Sequence, residues 1–255
     1  MLSRHIPYFQ NLFRVLPLFT SRPTQTSMDL LGNALEDYYS NDIKSKFLYY
    51  KNCLQKDFNE KLDYDLGIYF RNLDTLYPLE RKLIDLSYGN ILDVGSCTGY
   101  YIPYLMNKGT TMGIEVSSRI NNIARKNGFH NCITGDIFKY KFDKKFDTIT
   151  LIGNDIALSG TLYGLKKLLK KFRKLLNENG QVLVIISHIR TLNYWYVVFT
   201  PQYNDRVGIP AKYIFINTAF FLKVAPKYGF RATIVGKDES TGILYYLVKL
   251  VKLSQ

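Results

Sequence analysis

An α/β fold built on a mostly parallel sheet is predicted for this chain, and three observations predict it. From Asn90 onward, short apolar runs alternate with stretches of helical periodicity. The first apolar run ends in a turn of small residues, Gly95-Ser96-Cys97-Thr98-Gly99, that leads into a helix. The last two apolar runs are joined by the polar, Gly-containing stretch 237–242, which suits a hairpin. Five β-α repeats imply parallel strands, helices on both faces and right-handed crossovers. With the terminal antiparallel pair, the sheet has seven strands.

The elements follow in order. Asn90–Val94 is the first strand, and a helix runs from about Tyr100 to Asn107. Thr111–Val116 is the second strand, with a helix over Ser117–Asn127; Asn131–Thr134 is a short third strand and Phe146–Ile152 the fourth. The helix over about 162–176 shows Leu162, Leu165, Leu168, Leu169, Phe172, Leu175 and Leu176 on one face, and its cations fall on the other. Asn179-Gly180 reads as its C-cap. Gln181–Ser187, rich in Val and Ile, is a fifth strand buried on both faces. A long aromatic segment, 188–212, precedes a helix over about 217–227 and the final strands, about 231–236 and 243–250.

Residues 28–88 read as a helical, aromatic-rich cap or lid, and 89–255 as the domain that carries the site. Residues 1–27 contain Arg4, Arg14 and Arg22 and no acid, a composition like that of an organellar transit peptide. The rival explanation is an upstream start codon, with the folded protein beginning at Met28. The segment is expected to be poorly ordered and outside the fold. A cytoplasmic location is expected, or an organellar one if 1–27 is a transit peptide.

The 255 residues hold 47% hydrophobic and 22% charged residues, near the soluble globular average. No apolar run approaches the length needed to span a bilayer, so no membrane partner is expected. Three cysteines, without C-x-x-C spacing, argue against a disulfide scaffold or a zinc site. The net charge of +13 raises nucleic acid as a partner. The cations are spread along the chain, however, and the densest run, Lys166 to Lys174, has helical periodicity, so a solvated helix face is favoured over a polyanion surface.

In parallel sheets the ligand sits beyond the carboxyl ends of the strands, which gathers the loops after Val94, Glu115, Thr134 and Ile152 around one crevice. Ile91-Leu92-Asp93-Val94-Gly95-Ser96-Cys97-Thr98-Gly99 places an acid at a strand end before a turn whose backbone can approach a ligand. This stretch resembles the nucleotide-binding loop, D/E-x-G-x-G-x-G, of class I, Rossmann-like S-adenosylmethionine-dependent methyltransferases. The resemblance extends by order of elements over roughly residues 70–250. It implies S-adenosyl-L-methionine as cofactor: Asp93 anchoring its methionine part, Gly95 and Gly99 as first and third glycines, Glu115 accepting the ribose hydroxyls, and Asp136 the adenine amino group with Ile137 beside the ring. Gly153 and Asn154 fall where the family places contacts around the donor methyl. Taken singly, Asp93 and Asp136 also read as turn residues and Glu115 as a helix N-terminal acid.

Cys97 departs from the pattern by replacing the middle glycine. Its β-carbon is not expected to accept φ > 0 readily, which leaves three readings: an altered loop that still binds, a degenerate non-binding relative, or a reactive thiol. A dinucleotide-dependent dehydrogenase is the nearest competitor, but it wants G-x-G-x-x-G and does not account for Asp93 or for Gly135-Asp136.

The chain is also similar, through Met28 to Tyr39, Tyr69-Phe70-Arg71 and Gly153 to Thr161, to a subgroup of small methyltransferases. In-line methyl transfer needs geometry and a dry cavity more than a catalytic dyad. Asn154 and Asp155 are the catalytic candidates, to orient an acceptor and to accept a proton; a polar turn that caps the next helix is the structural alternative. Tyr69, Arg71, His188 and Trp195 are candidates for the substrate pocket, and Tyr194, Tyr196 and Phe199 join Tyr69 and Trp195 as candidates for its apolar wall. The additions at 28–88 and 188–212 are long enough to cover the crevice, which favours a small-molecule acceptor over RNA or protein; a non-catalytic scaffold is the remaining alternative.

Overall fold

The computed structural model describes residues 20–54, 58–188 and 191–253. A seven-stranded sheet carries the fold in the order β11-β12-β7-β6-β3-β4-β5. Its strands are β3 (Gly89–Val94), β4 (Gly109–Glu115), β5 (Cys132–Thr134), β6 (Phe146–Leu151), β7 (Leu176–Ser187), β11 (Phe230–Asp238) and β12 (Tyr245–Lys252). Strands β3 to β7 pair in parallel, while β12 runs antiparallel to both β7 and β11. The predicted seven-stranded α/β sheet is therefore present, terminal pair included.

Helices α2 (Pro78–Leu86), α3 (Ile102–Met106), α4 (Ser118–Lys126), α5 (Leu162–Leu175) and α6 (Thr218–Val224) connect or flank the strands. Their starts are written locally: Ser117, Thr161 and Asn217 each accept a backbone N–H of the first turn, and Pro78 opens α2. Leu165, Leu168, Leu169 and Phe172 of α5 are buried against β6 and β7, and Lys166, Lys167, Lys170 and Lys174 face solvent. Each such apolar side chain contributes about 1.5–3 kcal/mol on burial. The predicted cap at Asn179-Gly180 is not found: α5 ends at Leu175, and Asn179 (φ 60°) lies within β7. The Phe146–Leu176 pairing extends β7 back toward the helix across a register shift, so backbone pairing overrides the Asn-Gly signal.

The predicted helical character of 28–88 also fails in part. After α1 (Gln25–Tyr39), the chain forms β1 (Leu48–Cys53) and β2 (Phe58–Asp63). These join β8 (Tyr194–Tyr203), β9 (Arg206–Val207) and β10 (Ala211–Ile216) in a second, antiparallel sheet of order β10-β8-β1-β2, with β9 on β8. Leu48 to Cys53 pair with Gln202 to Val197. β1 and β8 are rich in Tyr, Phe and Val, residues that suit a half-buried pleated surface, but they pair with each other across more than a hundred residues. Local periodicity does not carry that pairing.

Residues 1–19 lie outside the described residues. Residues 20–27 are part of the fold: Thr24 caps α1 through a reciprocal bond with Ser27, and the Lys212 N–H donates to the Ser21 carbonyl at 2.8 Å. The fold thus includes residues before Met28. Leu30, Leu31, Leu35, Ile120 and Ile123 join α1 to α4 and to the second sheet's Phe47, Tyr49 and Tyr203 in one core. Among the described residues no helix is long and apolar enough to cross a membrane.

Candidate cofactor and acceptor site

A cavity of about 750 Å³ opens at the carboxyl ends of β3, β4, β5 and β6, between the two sheets. Its floor is Val94, Gly95 and Cys97 after β3; Glu115 closes β4, and Gly135, Asp136 and Ile137 follow β5. Gly153, Asn154 and Asp155 follow β6. The predicted convergence of loops on one crevice is met, with one refinement: Asp93 is 2% exposed and sits beneath the floor rather than on it.

Asp93 accepts a 2.6 Å hydrogen bond from the Thr150 hydroxyl, and its Oδ2 is buried without a hydrogen-bond partner. Burial, with Glu115 nearby, pushes its pKa up to about 6 against the opposing Thr150 bond. Glu115 accepts from the Ser117 N–H at 2.9 Å and from the Cys97 N–H at 3.2 Å, which ties the loop to β4. Burial raises its pKa as well. Gly95 (φ 80°) and Gly99 (φ 81°) take left-handed conformations, and a β-carbon at Gly95 would stand 2.9 Å from Asp155 Oδ2. Gly99 shapes the turn but does not line the cavity. Cys97, contrary to expectation, also takes φ 50°. Its thiol faces the cavity, and burial pushes its pKa well up, the reverse of what a reactive thiolate needs.

Asp136 accepts from the Phe138 N–H at 2.9 Å and from the Arg22 guanidinium at 2.6 Å, a bond across 114 residues that brings Arg22 and Pro23 over the cavity. Arg22 also lies 4.1 Å from the centroid of the Phe138 ring. Sequence reasoning missed this contact because residues 1–27 read as dispensable. The pair is about one-fifth exposed, so Arg22→Ala is expected to cost roughly 0.5–1 kcal/mol of stability. Limited proteolysis of 20–24, faster in the variant than in the wild type, checks it; equal rates would refute the tether.

Gly153 (φ 70°) and Asn154 (φ 71°) form a left-handed turn, and the Asn154 Oδ1 accepts from the Ser187 N–H of β7 at 3.0 Å. That bond orients the loop and engages the Asn154 oxygen structurally. Asp155 faces the cavity, and burial with Asp93 and Glu115 nearby pushes its carboxyl well above the carboxylate range.

Among the pocket candidates, Tyr69, Arg71 and His188 line the cavity. Tyr69 shares a 3.2 Å hydroxyl contact with Tyr64. Arg71 Nη2 donates to Glu80 (2.7 Å), Tyr101 (3.1 Å) and Tyr100 (3.4 Å), while its Nη1 is buried without a hydrogen-bond partner. His188 Nδ1 meets the Thr218 hydroxyl at 3.2 Å. Trp195 does not line the cavity: the β8 ring that does is Phe199, four residues or about 13 Å further along the strand. The second sheet adds Tyr49, Leu62, Tyr213 and Phe215, and Tyr64 follows β2 into the same lining, none of them named from sequence. Their β-propensity was visible, but the face they share is not. Among the described residues no cluster of His, Cys, Asp and Glu is arranged to hold a metal.

A family model described as a methyltransferase domain matches residues 92–184. No curated protein matches. Among solved structures, a SAM-dependent methyltransferase from Bacteroides fragilis in complex with S-adenosyl-L-homocysteine superposes with a TM-score of 0.78 at 22% identity, covering 93% of this chain and 100% of that one. The sugar N-methyltransferase KedS8 from Streptoalloteichus gives 0.54 at 13% identity, over 78% of this chain and 97% of its own. CalS10, an amino pentose methyltransferase from Micromonospora echinaspora, gives 0.53 at 13%, over 76% and 99%. The strand order agrees with these matches: the chain has the class I methyltransferase fold, and its residues 92–184 match the methyltransferase-domain model.

Proposed function

We propose that the protein is an S-adenosyl-L-methionine-dependent methyltransferase acting on a small molecule by in-line transfer. The observation that carries this reading is the cavity at the carboxyl ends of the strands. Arg71 Nη1, buried without a hydrogen-bond partner, and the acids Glu115 and Asp136 belong to its lining, and Asp93 Oδ2, likewise without a partner, lies beneath its floor. Arg71 Nη1 offers a buried donor suited to the cofactor's carboxylate, and Asp93 Oδ2 a buried acceptor on the side of its positive charge. Glu115, Asp136 and Ile137 line the same cavity, and in this reading Glu115 accepts the ribose hydroxyls while Asp136 and Ile137 meet the adenine. When bound, the cofactor supplies an electrophilic methyl on a good sulfonium leaving group.

What remains for the protein is orientation and exclusion of water. The second sheet and residues 22–31 wall the cavity, which suits a small acceptor rather than a polymer. Two of the similar structures are named as sugar and amino pentose methyltransferases, in agreement with a small acceptor. Asn154 holds its loop against β7, and Asp155 is the group available to take a proton.

Titration calorimetry with S-adenosyl-L-methionine and S-adenosyl-L-homocysteine tests the reading. Binding of both is expected, and absence of both would overturn it. Glu115→Ala is expected to weaken binding by roughly 1–3 kcal/mol, the scale of lost hydrogen bonds to a charged group. Unchanged affinity would remove Glu115 from the ribose position.

A further inference from the structure

The chain carries a net charge of +13, yet its cavity is a place for cations. Both arginines that line it are engaged by carboxylates, Arg22 by Asp136 and Arg71 by Glu80, and no lysine is among the described lining residues. The cofactor assignment takes the line between those two ends, and the lining beside it is left for the acceptor. One side of that lining is Asp155, held against Gly95 by the left-handed turn at Gly153 and Asn154. The other side is the aromatic face of the second sheet. Tyr49 packs edge-on against Tyr64 at 5.2 Å and Phe199 at 5.3 Å, and Phe199 against Tyr213 at 5.3 Å. Ring faces attract ammonium groups, most strongly where water is excluded, and the paired hydroxyls of Tyr64 and Tyr69 add hydrogen-bonding edges.

We propose that the acceptor is a primary or secondary amine on a compact apolar body, its nitrogen lying between Asp155 and the aromatic wall of Tyr49, Tyr64 and Phe199. This rests on the cofactor reading above. An anionic acceptor would meet Asp155 and Glu115 with no unengaged cation except Arg71 Nη1, which the cofactor's carboxylate requires.

The chemistry balances. The ammonium form of the acceptor gives one proton to the Asp155 carboxylate. The freed nitrogen lone pair then forms the N–CH3 bond, the C–S bonding pair goes to sulfur, and the methylated product leaves as an ammonium ion. Burial, with Asp93 and Glu115 nearby, raises the proton affinity of Asp155, the direction that favours its taking a proton.

Calorimetry on the full-length protein saturated with S-adenosyl-L-homocysteine tests the assignment, with 2-phenylethylamine, 2-phenylethanol and phenylacetate as probes. The amine is expected to bind at least about tenfold more tightly than the alcohol, and phenylacetate most weakly. Asp155→Asn should abolish the preference for amine over alcohol while changing S-adenosyl-L-homocysteine affinity by less than about threefold. Phe199→Leu, which leaves Asp155 in place, should lower amine affinity more than alcohol affinity. Equal binding of the three probes would overturn the proposal. So would an Asp155→Asn variant that loses S-adenosyl-L-homocysteine and amine alike, because Asp155 would then belong to the cofactor's own ammonium. Failure of the wild type to bind S-adenosyl-L-homocysteine at all would instead refute the cofactor reading, so the two failures are told apart.

Discussion

Glu80→Ala is expected to lower the unfolding free energy by about 3–5 kcal/mol, the cost of stranding a buried charge whose partner has been removed. Glu80 is 4% exposed and joins three elements. Its Oε1 accepts from Arg71 Nη2 at 2.7 Å and from the Tyr101 hydroxyl at 2.5 Å, and its Oε2 accepts the Tyr77 N–H that opens α2 at 2.7 Å. Alanine leaves the Arg71 guanidinium without its counter-charge and two further donors without acceptors. For a chain of this size the loss corresponds to a drop in Tm on the order of 6–20 °C. Glu80→Gln keeps one acceptor oxygen, for Arg71 and Tyr101, but loses the charge and sets an NH2 donor against the Tyr77 N–H, so it should cost roughly half as much as alanine. Denaturant titration of the three proteins separates these cases. A change below about 1 kcal/mol in Glu80→Ala would show that the network does not bear on stability. The same substitution should weaken binding of S-adenosyl-L-homocysteine, because Arg71 would lose the group that orients it.

The ligand-free protein should be less stable at pH 7.5 than at pH 5.5. Asp93 has its pKa raised from the ordinary 3.8 to about 6, chiefly by burial, with Glu115 adding to the rise. The unfolded chain gives up this proton near pH 4, and the folded chain only near pH 6. Between those values the folded state binds more protons, so stability falls as pH rises and levels off above about 6. The shift corresponds to roughly 3 kcal/mol from this residue at pH 7. Glu115 and Asp155, raised in the same direction, steepen the dependence. A cationic cofactor favours the ionised acids, so its affinity should rise with pH through 6 and its binding should release protons. Calorimetry in buffers of different ionisation enthalpy reads that release directly. In Asp93→Asn the stability decline should flatten by about the Asp93 share; a variant with the wild-type slope would show that other groups set it.

The acids of the site were legible because each is tied to a local signal. Asp93, Glu115 and Asp136 stand at strand ends before small residues or helix caps, and a parallel sheet brings strand ends together whatever lies elsewhere in the chain. Asp155 could be named for the same reason, since a turn after β6 faces the same crevice. Arg22 was not legible as a site residue: an N-terminal basic segment carries no local mark of the carboxylate it meets 114 residues later. Tyr194, Trp195, Tyr196 and Phe199 were all legible as candidates for the pocket wall, but only Phe199 lines the cavity: all four are aromatic residues of one strand, and only their positions along it separate them.

From the sequence alone came the parallel sheet, its terminal antiparallel pair, and the line of acids along one edge, all set by periods of two and 3.6 residues and by turn chemistry acting over a few residues. Only the tertiary structure decided that 48–53 and 194–203 pair into a second sheet, that residues 20–24 belong to the fold, and that aromatic residues of the second sheet line the same cavity as Asp155. The reason is physical. A strand's hydrogen bonds are made with another segment, so its pairing is a property of two distant stretches at once, while a helix or a tight turn satisfies its own backbone where it stands.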